Sequence, residues 1–461
     1  MSVQRESMHG MWSGRLAFIL AATGSAVGLG NIWKFPYIAG ENGGGAFVLL
    51  YLFCIALIGI PIMMSEVMLG RRGRQNPINT MRTLALEENA RPSWHWLGWM
   101  GVIAGILILS YYSVIAGWAL SYFKDAVFGT FDGISAETAG SHFGGLVGSW
   151  WVLLLWHTLF MMMTMFVVSK GVRGGLERAV TLLMPALLVL LLIMVGYAMK
   201  SGAFAQGMSF LFDADFSKLS PESALTAMGH AFFTLSLGMG AIMVYGSYLP
   251  EKVSISKAVI SIALADTAVA LLAGMAIFPI VFANGLEPGS GPGLIFTTLP
   301  IAFGQMPFGV IFASLFFLLL IFAAWSSAIS LVEPAVAWLI EKTHISRLRA
   351  SVLMGLLTWF IGIGTVFSFN IWAEAKVSGK TFFDWMDYLT ANVMLPFGGV
   401  LIAIFAAWVM RKESSSDELK MGAMGYSLWR FLTRYLAIIC VLIVMMKVTG
   451  LLDLVLAKAG L

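Results

Sequence analysis

Gly24-Ser25-Ala26-Val27-Gly28-Leu29-Gly30-Asn31 interrupts the first long apolar segment of this 461-residue chain. Each glycine in a helix interior costs about 1 kcal/mol relative to alanine, and this stretch holds three. Carbonyls released by an unwound turn find no partner in lipid, so such a turn is tolerated at membrane depth only where it lines a cavity. The stretch therefore predicts a broken membrane helix whose free carbonyls bind a small cation. The alternative is a GxxxG packing interface through Gly24 and Gly28.

The composition of the whole chain is that of a membrane protein, with 59% hydrophobic and 11% charged residues. Apolar stretches long enough to cross about 30 Å of hydrocarbon recur along it. We predict eleven spans, with approximate limits 13–38, 43–70, 96–125, 149–169, 176–199, 225–249, 256–284, 307–341, 349–369, 383–411 and 428–454. The loops are short or amphipathic, so residues 1–461 are expected to form one domain embedded in the lipid bilayer.

Most Lys and Arg residues lie in segments that, by the order of the spans, share one side of the membrane with the N-terminus. Because such residues hold flanking loops in the cytoplasm, they predict a cytoplasmic N-terminus, and an odd number of spans predicts an external C-terminus. The net charge of +4 is explained by this topology and not by nucleic-acid binding. The segment Lys412–Lys420, with its serines and mixed charges, is expected to be a solvated loop.

A second interruption lies in span 6, between His230 and Gly240. It contains Thr234, Ser236 and two further glycines, and it follows the first interruption by five spans. Paired interruptions at corresponding places in two halves indicate an inverted-repeat transporter whose substrate binds near the bilayer midplane. We therefore predict two repeats of five spans each and a peripheral span 11, with limits 13–199, 225–411 and 428–454.

Further motifs follow in a fixed order along the chain. They are Gly24 to Pro36, Glu41 to Phe47, Gly59-Ile60-Pro61 with Glu66, Tyr111-Tyr112, Phe232 to Gly240, Ala265-Asp266 and Phe322 to Ile329. Together they resemble the bacterial branch of the neurotransmitter and amino-acid sodium symporter family, which has the leucine-transporter-type fold. The resemblance implies an all-α membrane protein, a 5+5 inverted-repeat bundle with spans 1 and 6 discontinuous. It further implies alternating-access symport in the bacterial cytoplasmic (inner) membrane and no enzyme activity.

The resemblance implies two sodium ions beside the broken helices, each bound by oxygen atoms as suits a hard cation. The first site would combine the substrate carboxylate with the carbonyl of Ala26 and the side chains of Asn31, Thr234 and Asp266. The second would combine the carbonyls of Gly24, Val27 and Ala323 with the hydroxyls of Ser326 and Ser327. Taken alone, a serine pair in a helix more often bonds to the backbone of its own helix.

Asp266 is a carboxylate in the middle of span 7. Such a group costs about 3 kcal/mol or more in the bilayer and normally marks an ion or proton path, the alternative being a protonated structural residue. Animal relatives carry Asn here and bind chloride nearby. Asp266 can supply that negative charge itself, and Ala270 offers an anion no hydroxyl, so we expect no chloride requirement. His230 is expected to be a hydrogen-bonded structural residue, the alternative being a proton relay.

The resemblance also places the substrate. Its carboxylate would meet the bound sodium, amides near Leu29 and Gly30, and the Tyr112 hydroxyl. Its ammonium group would meet carbonyls near Ala26, Phe233 and Thr234. Monoamine transporters have Asp at the position of Gly28, so Gly28 favours an amino acid. The side-chain pocket would be lined by Ile108, Phe233, Met239 and Leu331, with Ser236 and Ser327 at its edge.

This pocket has no fixed charge and contains an adaptable methionine, so we expect a larger apolar L-amino acid, from leucine to tryptophan. Two alternatives remain. One is a sodium symporter for another small zwitterion. The other is a proton-coupled amino-acid transporter of the same fold, which typically places a basic side chain where Ser326 and Ser327 lie. Protein partners are not indicated by any motif.

Two gates follow from the resemblance. The outer gate would pair Lys34 with Asp387 above an aromatic lid of Tyr112 and Phe233, and Lys makes a less directional contact than the usual Arg. The inner gate would use Trp12, Ser247, Tyr248 and Glu341. The usual inner-gate arginine is replaced by His9. Either Arg5 pairs with Glu341, or His9 makes a weaker, pH-sensitive contact, or Arg5 binds lipid headgroups.

Overall fold

The computed structural model describes residues 5–287, 292–450 and 452. Within these ranges nine helices are long and apolar enough to cross a membrane: Gly45–Gly73, Pro92–Val127, Trp150–Ser169, Val172–Ala198, Ile255–Ala283, Gly309–Thr343, Arg347–Ser368, Phe382–Val409 and Ala423–Lys447. They correspond to predicted spans 2 to 5 and 7 to 11. Span 11 begins at Ala423, before the predicted limit of 428, and its predicted end and the C-terminus lie outside the described residues.

Spans 1 and 6 are the broken ones, as predicted. Span 1 consists of Arg15–Ala26 and Gly30–Glu41, which are bent by 52° with respect to each other. Span 6 consists of Pro221–Thr234 and Ala241–Ser247, separated by residues 235–240. The all-α membrane fold with discontinuous helices 1 and 6 is therefore confirmed.

Shorter helices connect the spans. They are Pro77–Glu87, Ala136–Gly148, Phe204–Phe212, Leu294–Gln305 and Lys412–Leu419. The last of these corrects the prediction of a solvated loop, because Ser415 is buried and lies 2.7 Å from the Tyr426 hydroxyl. Glu418 also forms an ion pair with the buried Arg71 of span 2. The connection between spans 10 and 11 is thus packed onto the end of the bundle that holds residues 5–14, called here the N-terminal face.

The break in span 1 is held open by its own side chains and by close neighbours. The first helix ends at Ala26, and the next residue, Val27, has an extended backbone with φ −71° and ψ 104°. The Asn31 side chain then accepts a hydrogen bond of 3.1 Å from the Gly28 amide. A Cβ atom on Gly28 would lie 2.5 Å from Ser327 Oγ and 2.8 Å from the Tyr112 hydroxyl. Only glycine lets spans 3 and 8 approach the break this closely.

The break in span 6 has a left-handed backbone, with φ of 55° at Ser236, 80° at Gly238 and 74° at Gly240. The Gly238 amide donates a 2.8 Å hydrogen bond to the fully buried carboxyl group of Glu66 in span 2. A Cβ atom on Gly238 would lie 2.5 Å from the Leu395 carbonyl oxygen. The backbone of span 10 therefore packs directly against the backbone of this turn.

The two breaks face each other at the centre of the bundle. The second half of span 1 contacts the first half of span 6, and the first half of span 1 contacts Ala241–Ser247. Span 8 packs along span 3 and against Arg15–Ala26, while span 7 lies against both halves of span 1. This crossing brings unpaired backbone groups and polar side chains from four spans to one place.

We predict that Gly238→Ala lowers stability, because alanine must adopt a positive φ and its Cβ meets the Leu395 carbonyl. The expected loss is about 2 kcal/mol or more, measured as a lower thermal unfolding midpoint of the detergent-purified protein. Gly196→Ala is the matched control, since it changes an unobstructed glycine within the helix of span 5. An unchanged midpoint in Gly238→Ala would contradict the strained turn.

Candidate functional site

Three predicted residues of the first ion site lie together, with Asn31 and Thr234 in contact with the buried carboxylate of Asp266. Asn31 Nδ2 donates to Asp266 Oδ1 at 2.8 Å, and Thr234 Oγ1 lies 3.1 Å from both carboxylate oxygens. The Tyr51 hydroxyl lies 3.4 Å from Asp266 Oδ2. All four side chains are buried. Ala26 is the last residue of its helix, so its carbonyl has no intrahelical donor within that helix.

The predicted second ion site is built around Ser327 of span 8. Ser327 Oγ lies 3.3 Å from the Gly24 carbonyl and 3.2 Å from each of the carbonyls of Ser25 and Val27. Ser326 instead bonds within its own helix, to the carbonyls of Phe322 and Ala323 at 3.1 and 3.0 Å. Span 8 thus brings hydroxyl and carbonyl oxygens against the last turn of the first helix.

A small central pocket lies between the two clusters. Its free volume is about 30 Å³, so the pocket is small. It is lined by Ser25, Ala26, Gly28, Leu29, Gly30, Ile108, Tyr112, Phe233, Ser236, Met239, Ser327 and Leu331. Apart from Thr234, this set contains every residue that the sequence assigned to the substrate, together with Ser25, which it did not. The Leu29 amide donates a 3.2 Å hydrogen bond to the Tyr112 hydroxyl.

A larger cavity of about 470 Å³ lies on the other side of Tyr112 and Phe233, away from the N-terminal face. Leu29, Gly30, Tyr112 and Phe233 line both cavities, so they form the partition between them. The predicted aromatic lid is therefore in the expected place, between the central pocket and an outer vestibule.

The predicted ion pair of the outer gate is not formed. Lys34 and Asp387 both line the outer cavity, yet among the described residues no ion pair within 4.0 Å joins them. Lys34 Nζ instead lies 4.8 Å from the centre of the Phe233 ring. The cavity separates spans 1 and 10 here, and a lysine ammonium group gains a cation–π contact with the lid in place of the carboxylate.

At the N-terminal face, several residues form hydrogen bonds with Glu341, which lies at the end of span 8 and belongs to the predicted inner gate. Its carboxylate accepts a hydrogen bond of 2.8 Å from the backbone amide of Asn76 and one of 2.9 Å from the side-chain Nδ2 of Asn79. His9 Nε2 lies 3.1 Å from Glu341 Oε1. Trp12 Nε1 donates to the Tyr245 carbonyl at 3.0 Å and thereby fixes the N-terminal segment on span 6.

Two predictions for this gate need correction. Arg5 does not reach Glu341 but pairs with Glu87 and donates to the Arg72 carbonyl, because the chain register places His9 at the carboxylate. The Ser247 hydroxyl bonds within its own helix, to the Val244 carbonyl, and its carbonyl accepts a hydrogen bond from the Arg74 guanidinium.

Glu333 and Arg347 are part of this network and were missed from the sequence. The fully buried Glu333 accepts a 2.8 Å hydrogen bond from the Tyr248 hydroxyl and forms an ion pair with Arg347. Arg347 also donates to the Val168 carbonyl at the end of span 4. A carboxylate in span 8 could have been flagged by the argument used for Asp266, and the same holds for Glu66.

His230 also departs from the prediction. Among the described residues, neither of its ring nitrogens has a hydrogen-bond partner, although His230 is only 2% exposed. Its ring packs on Phe35 and Tyr51, with centroid distances of 5.9 and 5.4 Å. It is therefore buried between aromatic rings and not held by hydrogen bonds as expected.

We predict that Arg347→Ala destabilises the protein by about 3–5 kcal/mol, because it leaves the buried Glu333 carboxylate unpaired. The double variant Glu333→Gln with Arg347→Gln is expected to lose much less, since no charge remains buried. Arg349→Ala, an exposed arginine two residues later, serves as the control. Thermal unfolding midpoints compare the three variants, and equal losses in the single and double variants would contradict the pairing.

Comparison with known proteins agrees with the fold. Residues 9–132 and 134–456 match the Sodium:neurotransmitter symporter family. An uncharacterized sodium-dependent transporter, YhdH of Bacillus subtilis, is 38% identical over 446 residues, which cover 96% of this chain and 98% of that protein. The human sodium- and chloride-dependent GABA transporter 2 is 26% identical over 477 residues, which cover 91% and 76% of the two chains.

Among solved structures, the crystal structure of MhsT in complex with L-phenylalanine superimposes with a TM-score of 0.88. Its sequence is 43% identical to this one, and the match covers 96% of this chain and all of MhsT. The relatives are transporters and not enzymes. This chain belongs to the sodium:neurotransmitter symporter family and is a multi-pass, sodium-dependent membrane transporter.

Proposed function

We propose that this protein is a chloride-independent symporter that couples two sodium ions to the uptake of a larger apolar L-amino acid by alternating access. The observation that carries this proposal is the buried Asp266 carboxylate, which meets Asn31 from the break in span 1 and Thr234 from the break in span 6. A sodium ion there would bind to both broken helices at once. The second ion would bind among the carbonyl oxygens around Ser327.

The chemistry of the ligands suits a hard cation such as sodium. The oxygens around Asp266 and Ser327 come from carboxylate, amide, hydroxyl and backbone carbonyl groups, which suit a hard cation. Asp266 also contributes a full negative charge within the first site, so that chloride is not required for charge balance. Within the described part of the chain, the hydrogen-bond partners of Asp266 and Ser327 include no Lys or Arg side chain that could replace a sodium ion, which weighs against the proton-coupled alternative.

The substrate class follows from the lining of the central pocket. Ile108, Met239 and Leu331 are apolar, and none of the described residues that line this pocket carries a charged side chain. Its free volume of about 30 Å³ is small for a large side chain, so we expect side chains of the lining, such as Met239, to move on binding. Methionine has three rotatable bonds and adapts readily. That MhsT was crystallised with L-phenylalanine supports the same class.

The topology completes the proposal. Residues 13–199 and 225–411 would form the two inverted repeats. The N-terminal face would lie in the cytoplasm, because its many arginines favour that side of the bacterial inner membrane. The inner gate around Glu341 and Glu333 is closed in this structure, whereas the outer vestibule ends at the Tyr112–Phe233 lid. This arrangement corresponds to a transporter closed toward the cytoplasm.

The direct test is uptake of labelled amino acids into proteoliposomes that contain the purified protein. We expect uptake of leucine, phenylalanine and tryptophan that requires an inward sodium gradient and is equal in chloride and gluconate. Uptake driven by a proton gradient without sodium would favour the proton-coupled alternative. Uptake confined to glycine or taurine would contradict the proposed pocket.

Asp266→Asn keeps the size of the side chain but removes its charge and replaces one acceptor oxygen with an NH2 donor. We expect the sodium concentration for half-maximal uptake to rise about tenfold or more, corresponding to about 1.4 kcal/mol or more of lost binding energy. We also expect uptake to become stimulated by chloride. Asp215→Asn, an exposed carboxylate outside the bundle, is the control. Unchanged sodium dependence in Asp266→Asn would contradict the first ion site.

Met239→Ile tests the adaptable pocket, because a β-branched side chain is stiff at χ1. We expect tryptophan and phenylalanine to lose affinity about tenfold relative to leucine, measured by competition against labelled leucine. Met162→Ile changes a lipid-exposed methionine of span 4 and is expected to have no effect. An equal loss for all three substrates would show that Met239 does not set the size limit.

A further inference from the structure

The inner gate of this chain contains an imidazole in direct contact with a carboxylate. His9 Nε2 lies 3.1 Å from Glu341 Oε1, and the two side chains are only 4% and 7% exposed. The His9 ring also contacts the Tyr248 ring, with a centroid distance of 5.9 Å. The contact joins the N-terminal segment to the ends of spans 8 and 6, which must separate if the gate is to open.

Glu341 does not depend on His9 alone. Asn76 and Asn79 also donate hydrogen bonds to its two carboxylate oxygens. These amides cannot titrate, so the carboxylate stays hydrogen-bonded whichever form His9 takes. A change in the charge of His9 would therefore alter the strength of the gate without leaving Glu341 unpaired.

Protons can reach His9 from the N-terminal face. His9 lines a cavity of about 1090 Å³ there, together with the charged residues Arg5, Glu6, Arg74, Lys170, Arg173, Glu251 and Lys252. Among the described residues, the ion pairs of these groups are Arg5 with Glu87 and Arg74 with Glu251, and Glu341 is the carboxylate within 4.0 Å of His9. The charge that His9 acquires on protonation is thus matched by Glu341.

We propose that the His9–Glu341 contact is a pH switch on the cytoplasmic gate. Proton binding to His9 converts a hydrogen bond into an ion pair and stabilises the closed gate, whereas deprotonation favours opening. Histidine ordinarily titrates between pH 5 and 8, where an arginine at this position would keep its charge. The additional stabilisation of the closed gate is therefore present at low cytoplasmic pH and is lost as the pH rises. Release of substrate into an acidified cytoplasm would slow.

The test measures gate opening directly, by labelling a buried position on the release path. Ser247→Cys is introduced into a Cys54→Ala/Cys440→Ala background, and its reaction with a maleimide is followed at pH 6 and pH 8. Each rate is divided by the rate at Gly140→Cys, an exposed site on the opposite face, because thiol reactivity itself rises with pH. Charged hydrogen bonds are about twice as strong as neutral ones, so we expect the normalised rate to rise about five-fold.

The variants separate the switch from other causes of pH dependence. His9→Gln retains a hydrogen-bond donor but cannot titrate, and it is expected to give the same normalised rate at both pH values. His9→Arg is expected to give a low normalised rate at both pH values, and it replaces His9→Gln in the test if His9→Gln does not fold. His344→Asn removes another histidine on the same face and should retain the full pH response. A flat response in the parent, or a normal response in His9→Gln or His9→Arg, would overturn the switch.

The inference rests on the alternating-access mechanism proposed above, and the same assay tests that mechanism separately. Sodium should stabilise the state closed toward the cytoplasm and slow labelling of Ser247→Cys at a fixed pH. If sodium has no effect, the proposed mechanism fails. If sodium slows labelling but pH does not change it, only the switch fails.

Discussion

The constraint on which the structure depends is that backbone oxygens released inside the membrane need partners. Two helices are unwound at the centre of the bundle, at Val27–Leu29 and at residues 235–240. Lipid cannot satisfy the exposed groups, so the protein surrounds them with side chains from spans 2, 3, 7 and 8. Ser327 lies within hydrogen-bond distance of carbonyl oxygens at the first break, and Glu66 accepts a hydrogen bond from the Gly238 amide at the second. Asp266 accepts hydrogen bonds from Asn31 and Thr234, one from each break, and a carboxylate buried at such a place is best matched by a cation.

The same constraint explains why the gates lie where they do. Each half of a broken helix is short, and the end away from the break is held by polar contacts that can form and break. At the N-terminal face these contacts form a closed network of Glu341, Glu333, Arg347 and the N-terminal segment. On the other side, the Tyr112–Phe233 lid separates the pocket from the vestibule, and Lys34 and Asp387 remain apart. A difference in closure between the two faces is what alternating access requires.

Much of this could be predicted from the sequence, because glycines and polar residues are conspicuous within apolar spans. The spans and both breaks follow from that contrast, whereas the clustering of Asn31, Thr234 and Asp266 was implied by the resemblance to a known family. Long side chains were less predictable. Arg5 and Lys34 have several partners within reach, and which one they contact depends on distances that no pattern encodes. Lys412–Leu419 is polar in composition, so its packing against span 2 could not be recognised without knowledge of the neighbouring surface.

The measurement that tests the central claim most directly is the equilibrium affinity of the purified protein for labelled phenylalanine as a function of sodium concentration. If the substrate carboxylate and two sodium ions bind together at the breaks, affinity should rise steeply with sodium, with a logarithmic slope approaching about two by linkage. Potassium should not replace sodium. An affinity that is the same with and without sodium would contradict the account, because the ion sites and the substrate pocket would then not be coupled.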